Sequence, residues 1–396
     1  MKTKTIVLSL MFAVSFSFAQ TKKMHFETTT FAEIKAKAKK ENKLIFIDAY
    51  TSWCGPCKWM AANVFTNDTV ADYFNAKFIN AKFDMEKGEG VDIAKLYEVH
   101  CYPNLLFIDG DGKLIHRGAG GLNVEKFTQL AEDAFNPEKR FSKYKDEYPL
   151  KKADPVFLRE YIEAVSKTCL STDGPVQDYF KTQKDEVLSN RANWDMIRDY
   201  SSDYKSREFI YLLNNVEAYN KAYTPDSVNS KIMEVFLNGG YSIIYTKEMK
   251  EADLEAYKVE IKKMKFAALD EVLFKLETGY SKKNGDWKKY IDLSVEKGDK
   301  YFHTADDYNS ISWDIYEHSD DKAPLQKAEL WMEKAVKEEP NWYNYDTYAG
   351  VLYKLNKKQE AKAAGNKAVE LAKKGGVAEE EYQETTVLLQ KIEKLK

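Results

Sequence analysis

Along the first third of the chain, apolar residues gather into short runs, and between the runs they recur every three or four positions. Residues 31–40 have helical spacing and end in lysines. Residues 43–48, Lys-Leu-Ile-Phe-Ile-Asp, are an apolar run of strand length. The segment 56–64 opens on a proline and continues at helical spacing, and the fixed φ of proline suits a helix start. Residues 78–83 predict a second strand, 91–97 a helix and 105–108 a third strand. Asp109-Gly110-Asp111-Gly112 is a turn signal ahead of 113–116, which predicts a hairpin. Residues 124–135 close the region as a helix, and Asn136-Pro137 marks its end. Strands alternating with helices and finishing in a hairpin predict an α/β sandwich with a mixed sheet over residues 24–137.

Beyond residue 141 the strand signals stop. The remainder is helical and rich in Lys, Glu and Tyr, with breaks at Asp173-Gly174-Pro175, Thr224-Pro225-Asp226, Gly239-Gly240 and Asn284-Gly285. A helical region over 141–285 is expected, followed by repeats over 286–396. Lys327-Ala328 and Lys334-Ala335-Val336 recur as Glu360-Ala361 and Lys367-Ala368-Val369, a period of 33 residues. That period, with small residues at helix contacts, resembles tetratricopeptide repeats. The resemblance implies that Tyr345, Tyr348, Ala349 and Leu352 pack from a first helix, and Ala361 and Ala368 from a second. Gly365 departs from it, standing where that family usually carries a large side chain. Two units fall short of the three or so that a stable stack needs, so the preceding helices are expected to join the same solenoid.

A chain of 396 residues exceeds one ordinary core, and its 44% hydrophobic content supports packed structure. A formal charge of −3 argues against a general nucleic-acid binder. Twenty-six tyrosines and 21 phenylalanines at helical spacing read chiefly as core. The N-terminus has the pattern of a secretory signal: Lys2 and Lys4, an apolar run from Ile6 to Phe18, then Ser17-Phe18-Ala19. That run is too short and too serine-broken for a spanning helix. A cleaved signal over 1–19 and a periplasmic or otherwise exported, non-spanning protein are therefore expected. Four cysteines are too few for a disulfide scaffold of this length, and two of them are only three positions apart, which points to redox chemistry.

The close pair lies in Trp53-Cys54-Gly55-Pro56-Cys57-Lys58. A Cys-x-x-Cys pair is also half of a common zinc site, but no second pair exists and none of the five histidines has finger spacing, so no metal is expected. Residues 44–135 resemble the thioredoxin family, in particular the thioredoxin-like domains of bacterial thiol–disulfide interchange proteins. The resemblance implies a redox disulfide between Cys54 and Cys57 and no cofactor. Two intervening residues place the sulfurs across the first turn of a helix. There the unpaired N–H groups and the helix dipole favour a thiolate on Cys54, the attacking group, which Cys57 then resolves. Asp48, six residues before Cys54 at a strand end, matches the family's buried acid, and Lys82 matches the lysine paired with it. Burial would raise the Asp48 carboxyl and fit it to exchange the Cys57 proton. Trp53, Gly55 and Pro56, with Tyr102 and Pro103 of a loop 46 residues after Cys57, are the expected substrate-facing residues, and Pro103 is expected to be cis.

Two departures from the family stand in that loop: Asn104 where threonine is usual, and Cys101 where glycine is common. Cys101 reads as a small apolar filler, with a third thiol that forms a wrong disulfide or joins the relay as the alternative. Cys169, in a helical segment over 157–170, reads as buried core without a partner. The Gly-Pro insert resembles reducing thioredoxins, so a protein-disulfide reductase is expected, acting on protein thiols and disulfides and supplied by a membrane electron donor. The alternatives are a helical-repeat scaffold with a thioredoxin-like docking module, and a disulfide oxidase or isomerase. A fragment ending near Asn136 is expected to fold alone and stay active on a small disulfide.

Overall fold

A computed structural model describes residues 22–395, so the expected signal segment 1–19 lies outside the described residues. Contacts divide the chain into two compact units, with the boundary between Val187 and Leu188.

In the first unit α1 (Phe31–Glu41) starts at a capping box, Thr30 and Glu33 satisfying each other's backbone N–H. It ends on Asn42 in the left-handed region, after two lysines in the last turn. β1 (Leu44–Tyr50), α2 (Gly55–Asn63), β2 (Phe78–Asp84), α4 (Glu89–Leu96), β3 (Asn104–Ile108), β4 (Leu114–Ala119) and α5 (Val124–Phe135) follow the order expected from the pattern. One element is additional: α3 (Asp68–Lys77), opened by Asn67, whose side chain accepts the N–H groups of Thr69 and Val70. Its buried face is only three residues, Val70, Ala71 and Phe74, too short an apolar stretch to announce the helix.

The sheet order is β2-β1-β3-β4, with β1 and β2 parallel and the other pairs antiparallel, a mixed sheet. Alternation along β1 sends Ile45, Ile47 and Ala49 to one face and Phe46 and Asp48 to the other. Phe46 packs with Met60 of α2, Phe74 of α3 and Phe127 of α5; the Phe74 and Phe127 rings stack with centroids 4.3 Å apart. Each such buried phenylalanine contributes about 1.5–3 kcal/mol relative to exposure. On the opposite face Ile34 of α1 and Ile93 of α4 cover Ile47 and Leu106. Asp48 is thus on the side covered by α2.

The unit does not stop at Asn136. α6 (Phe141–Glu147), α7 (Pro155–Ser166) and α8 (Asp173–Thr182) continue it. The Phe141 N–H donates to His116 Nδ1 at 3.0 Å, and the Ala119 N–H, at the end of β4, donates to the Lys167 carbonyl at 2.9 Å. His116 is therefore buried in its neutral form, and desolvation pulls it down to about 4.

The second unit is helical throughout its described residues: α9 (Arg191–Tyr200), α10 (Arg207–Asn214), α11 (Val216–Ala222), α12 (Pro225–Ile244), α13 (Glu251–Lys262), α14 (Leu269–Lys283), α15 (Trp287–Tyr301), α16 (Ala305–His318), α17 (Lys322–Glu338), α18 (Trp342–Lys354), α19 (Lys358–Lys374) and α20 (Gln383–Glu393). The pairs α14–α15, α16–α17 and α18–α19 pack within themselves and on their neighbours, as helical repeats do. Ala328 and Ala335 on α17 and Ala361 and Ala368 on α19 are wholly buried, so the 33-residue period marks helix contacts. Gly365 is small for a local reason: a Cβ there would stand 2.8 Å from Leu389 Cδ2 of α20. Among the described residues no helix is long and apolar enough to cross a membrane.

Candidate active site

Cys54 is the N-cap of α2 and Cys57 stands in its first turn, and the two form a disulfide with Cα atoms 5.3 Å apart. The Cys57 N–H donates to Cys54 Sγ at 3.1 Å. One free donor of the helix terminus is thus aimed at the sulfur that would carry charge once the pair is reduced. Pro56 occupies the first turn, where its missing N–H costs nothing. In the disulfide form both cysteines are buried, 3% and 4% exposed.

Asp48 is 2% exposed, and its Oδ1 accepts no hydrogen bond. Desolvation pushes its carboxyl up to about 7, partly opposed by the charge of Lys82. Asp48 and Lys82 are register partners on β1 and β2. The Lys82 ammonium lies 4.8 Å from the Tyr50 ring centroid and 5.7 Å from that of Phe26, so it reaches Asp48 through its field. An acid titrating near neutrality on the α2 side of the sheet can accept and return a proton at physiological pH.

The Tyr102–Pro103 peptide bond is cis, as the resemblance implied. Gly120, in the left-handed region at φ 84°, donates its N–H to the Pro103 carbonyl at 2.9 Å. A Cβ on Gly121 would touch Pro56 at 3.4 Å, so the end of β4 passes close to the cysteine motif. The Trp53 ring meets Tyr102 edge-on at 5.9 Å, and its Nε1–H donates to both carboxylate oxygens of Glu86, at 3.1 and 3.0 Å. The structure thus brings Trp53, Gly55, Pro56, Tyr102 and Pro103 around the pair. Trp53 is 64% and Trp59 48% exposed, which leaves an aromatic surface beside the disulfide.

Two readings of the sequence are corrected. Cys101 is not a filler and Cys169 is not buried core: they form a second disulfide, 68 residues apart, with Cα atoms 6.2 Å apart. Cys169 lies beyond the end of α7, exposed and at φ 59°, where a helix-based reading cannot place it. Arg117 and Glu86 were not singled out at all. Arg117 is 2% exposed; it donates to the carbonyls of Tyr97 and Glu98 at 2.7 and 3.2 Å and to Asn104 Oδ1 at 3.0 Å. An arginine inside an apolar strand pair was the available signal for it.

A mixed thioredoxin-like sheet whose α2 opens on a Cys-Gly-Pro-Cys disulfide defines a thiol–disulfide oxidoreductase type of domain. The family profile and the sequence relatives agree. A family profile for thioredoxin-like DsbH proteins, described as a protein of unknown function (DUF255), matches residues 19–104. Thioredoxin-1 of Drosophila melanogaster is 32% identical over 90 residues, 23% of this chain and 78% of its own length. Thioredoxin-T of the same organism is 34% identical over 92 residues, but the chain spans only 54% of its length. A solution structure of a proposed disulphide-isomerase from Bacteroides thetaiotaomicron is 43% identical, covering 29% of this chain and 96% of that one, with a TM-score of 0.28. The chain belongs to the thioredoxin family.

Proposed function

We propose that the protein is an exported protein-disulfide reductase whose chemistry runs at Cys54 and Cys57, with the helical second unit holding the client. The observation that carries the reading is the coincidence, on one side of the sheet, of a helix-capping sulfur and a buried acid that titrates near pH 7. In the reduced form the Cys54 thiolate attacks a client disulfide, and one client sulfur leaves as a thiolate and takes up a proton. Asp48 then accepts the Cys57 proton, and Cys57 attacks Cys54 Sγ. The second client thiolate leaves, and two electrons have passed to the client. The charge of Lys82 lowers the Asp48 carboxyl against the larger rise that burial imposes, while Trp53, Gly55, Pro56, Tyr102 and Pro103 receive the client chain.

The export reading rests on the charged, apolar and small-residue pattern of residues 1–19. Outside the cytosol a membrane donor must return the electrons. Titration of the Cys54–Cys57 couple against glutathione or dithiothreitol tests the direction. A reductase should lie near thioredoxin's value of about −270 mV, and a potential above roughly −200 mV would make the protein an oxidase or isomerase instead.

A further inference from the structure

We propose that the Cys101–Cys169 disulfide, with Asn104 and Arg117, positions the Pro103 loop beside the redox pair, so that the segment just after α7, residues 167–169, forms part of the active-site face. The inference rests on the reading of Cys54–Cys57 as the reacting pair.

Three ties reach from the loop and the end of β4 to three consecutive residues after α7. The Ala119 N–H donates to the Lys167 carbonyl at 2.9 Å, Asn104 Nδ2 donates to the Thr168 carbonyl at 3.4 Å, and Cys101 is bonded to Cys169. The receiving segment is held in shape by itself. Thr168 donates both its N–H and its hydroxyl to the Val165 carbonyl, at 2.9 and 2.6 Å, and accepts the Leu170 N–H on that hydroxyl at 3.3 Å. Its backbone needs are thus met locally, leaving the Lys167 and Thr168 carbonyls free to serve the neighbouring loop.

Asn104 is the centre of the device. Its carboxamide oxygen accepts from the buried Arg117 guanidinium at 3.0 Å while its nitrogen donates to Thr168. Arg117 in turn ties down the carbonyls of Tyr97 and Glu98, just past the end of α4. A threonine at position 104 has one hydroxyl and a shorter reach, and could not span both partners. Both departures from the family pattern, Asn104 and Cys101, therefore fall on contacts to this added segment. On its other side the same loop accepts the Gly120 N–H on the Pro103 carbonyl and sets Tyr102 against Trp53, the residue before Cys54. A loop fixed before a polypeptide arrives spares the complex the cost of ordering it, so the effect belongs in binding and not in the exchange step itself.

The test uses the full-length oxidised protein and the double variant Cys101→Ser/Cys169→Ser. Each is mixed with a large excess of a reduced polypeptide dithiol (reduced insulin B chain), which drives the exchange in its reverse direction, or with dithiothreitol, and opening of Cys54–Cys57 is followed by tryptophan fluorescence. The half-saturating polypeptide concentration should rise roughly five- to thirty-fold in the variant, with the limiting rate and the dithiothreitol rate within about twofold of wild type. Hydrogen exchange at the Ala119 and Gly120 amides should quicken in the same variant. Unchanged half-saturation, or unchanged protection at both amides, overturns the proposal. If the double variant fails to fold, Asn104→Thr, which keeps the bridge, should shift half-saturation in the same direction, and no shift overturns the proposal equally. A wild-type pair inert to both dithiols would instead sink the functional reading, and the two amides would still report whether the loop is latched.

Discussion

Replacing Asp48 by asparagine should make the stability of the first unit less dependent on pH, with a sign and size that follow from its burial. The carboxyl rises from its ordinary 3.8 to about 7 in the folded protein, mainly because burial disfavours its charge. Between those values the folded state holds a proton that the unfolded chain has released, so stability falls as pH rises through the window. At about 1.4 kcal/mol per tenfold change in proton affinity, the ionised Asp48 costs the fold about 4 kcal/mol above pH 7. Below about pH 4 both states are protonated and the cost vanishes. The Asp48→Asn variant would carry no such dependence, whatever constant penalty its amide brings. His116 works in the opposite direction, so wild type alone would show a flattened profile, and the difference between the two proteins isolates Asp48. Native-state hydrogen exchange at the amides of Phe46 and Leu106, in the two central strands, reads the opening free energy of this unit directly. Relative to wild type, the variant should gain about 4 kcal/mol between pH 4 and pH 8. Parallel profiles for the two proteins would mean that Asp48 is not desolvated, and the proton-transfer role proposed for it would lose its basis.

Four other outcomes are expected. Cys54→Ser should abolish reaction with a model disulfide, while Cys57→Ser should accumulate mixed disulfides detectable by mass; normal turnover by Cys57→Ser would reverse the assigned roles. Asp48→Asn should slow resolution of the mixed disulfide more at pH 7 than at pH 9, where hydroxide replaces the missing base, and equal ratios at both would reduce Asp48 to a structural residue. His116, pulled from 6.5 to about 4, lends stability that is complete above pH 6.5 and lost as pH falls toward 4. His116→Asn should therefore remove about 3 kcal/mol of acid sensitivity from the exchange profile of the first unit. Gly240→Ala would drive a Cβ to 2.3 Å from Leu276 Cδ2 and should destabilise the second unit by about 1–3 kcal/mol in a urea melt, with no change in dithiothreitol reactivity at Cys54–Cys57.

The local order of this protein is written in its sequence, because each element needs only its own residues. Apolar runs announced β1, β2 and β3, the Asp-Gly-Asp-Gly turn announced the hairpin, and a proline at the start of α2 placed the two cysteines a helical turn apart. The 33-residue recurrence of alanines announced helix contacts for the same reason: small residues are needed wherever backbones approach. α3 escaped because its buried face comprises only three residues, too short an apolar stretch to announce it. What only the tertiary structure decided involves partners far apart in the chain. The Cys101–Cys169 bridge spans 68 positions, Trp53 reaches Glu86 across 33, and Asn104 reaches Thr168 across 64. Nothing in the spacing of either partner reports the other, and a cysteine just past a helix end looks like core until the chain turns back in the left-handed region. The same holds for chemistry. That Asp48 is an acid at a strand end was visible in the sequence. That it titrates near 7 depends on α2 closing over its face of the sheet and on Lys82 lying over Tyr50, an environment that exists only after distant elements have packed.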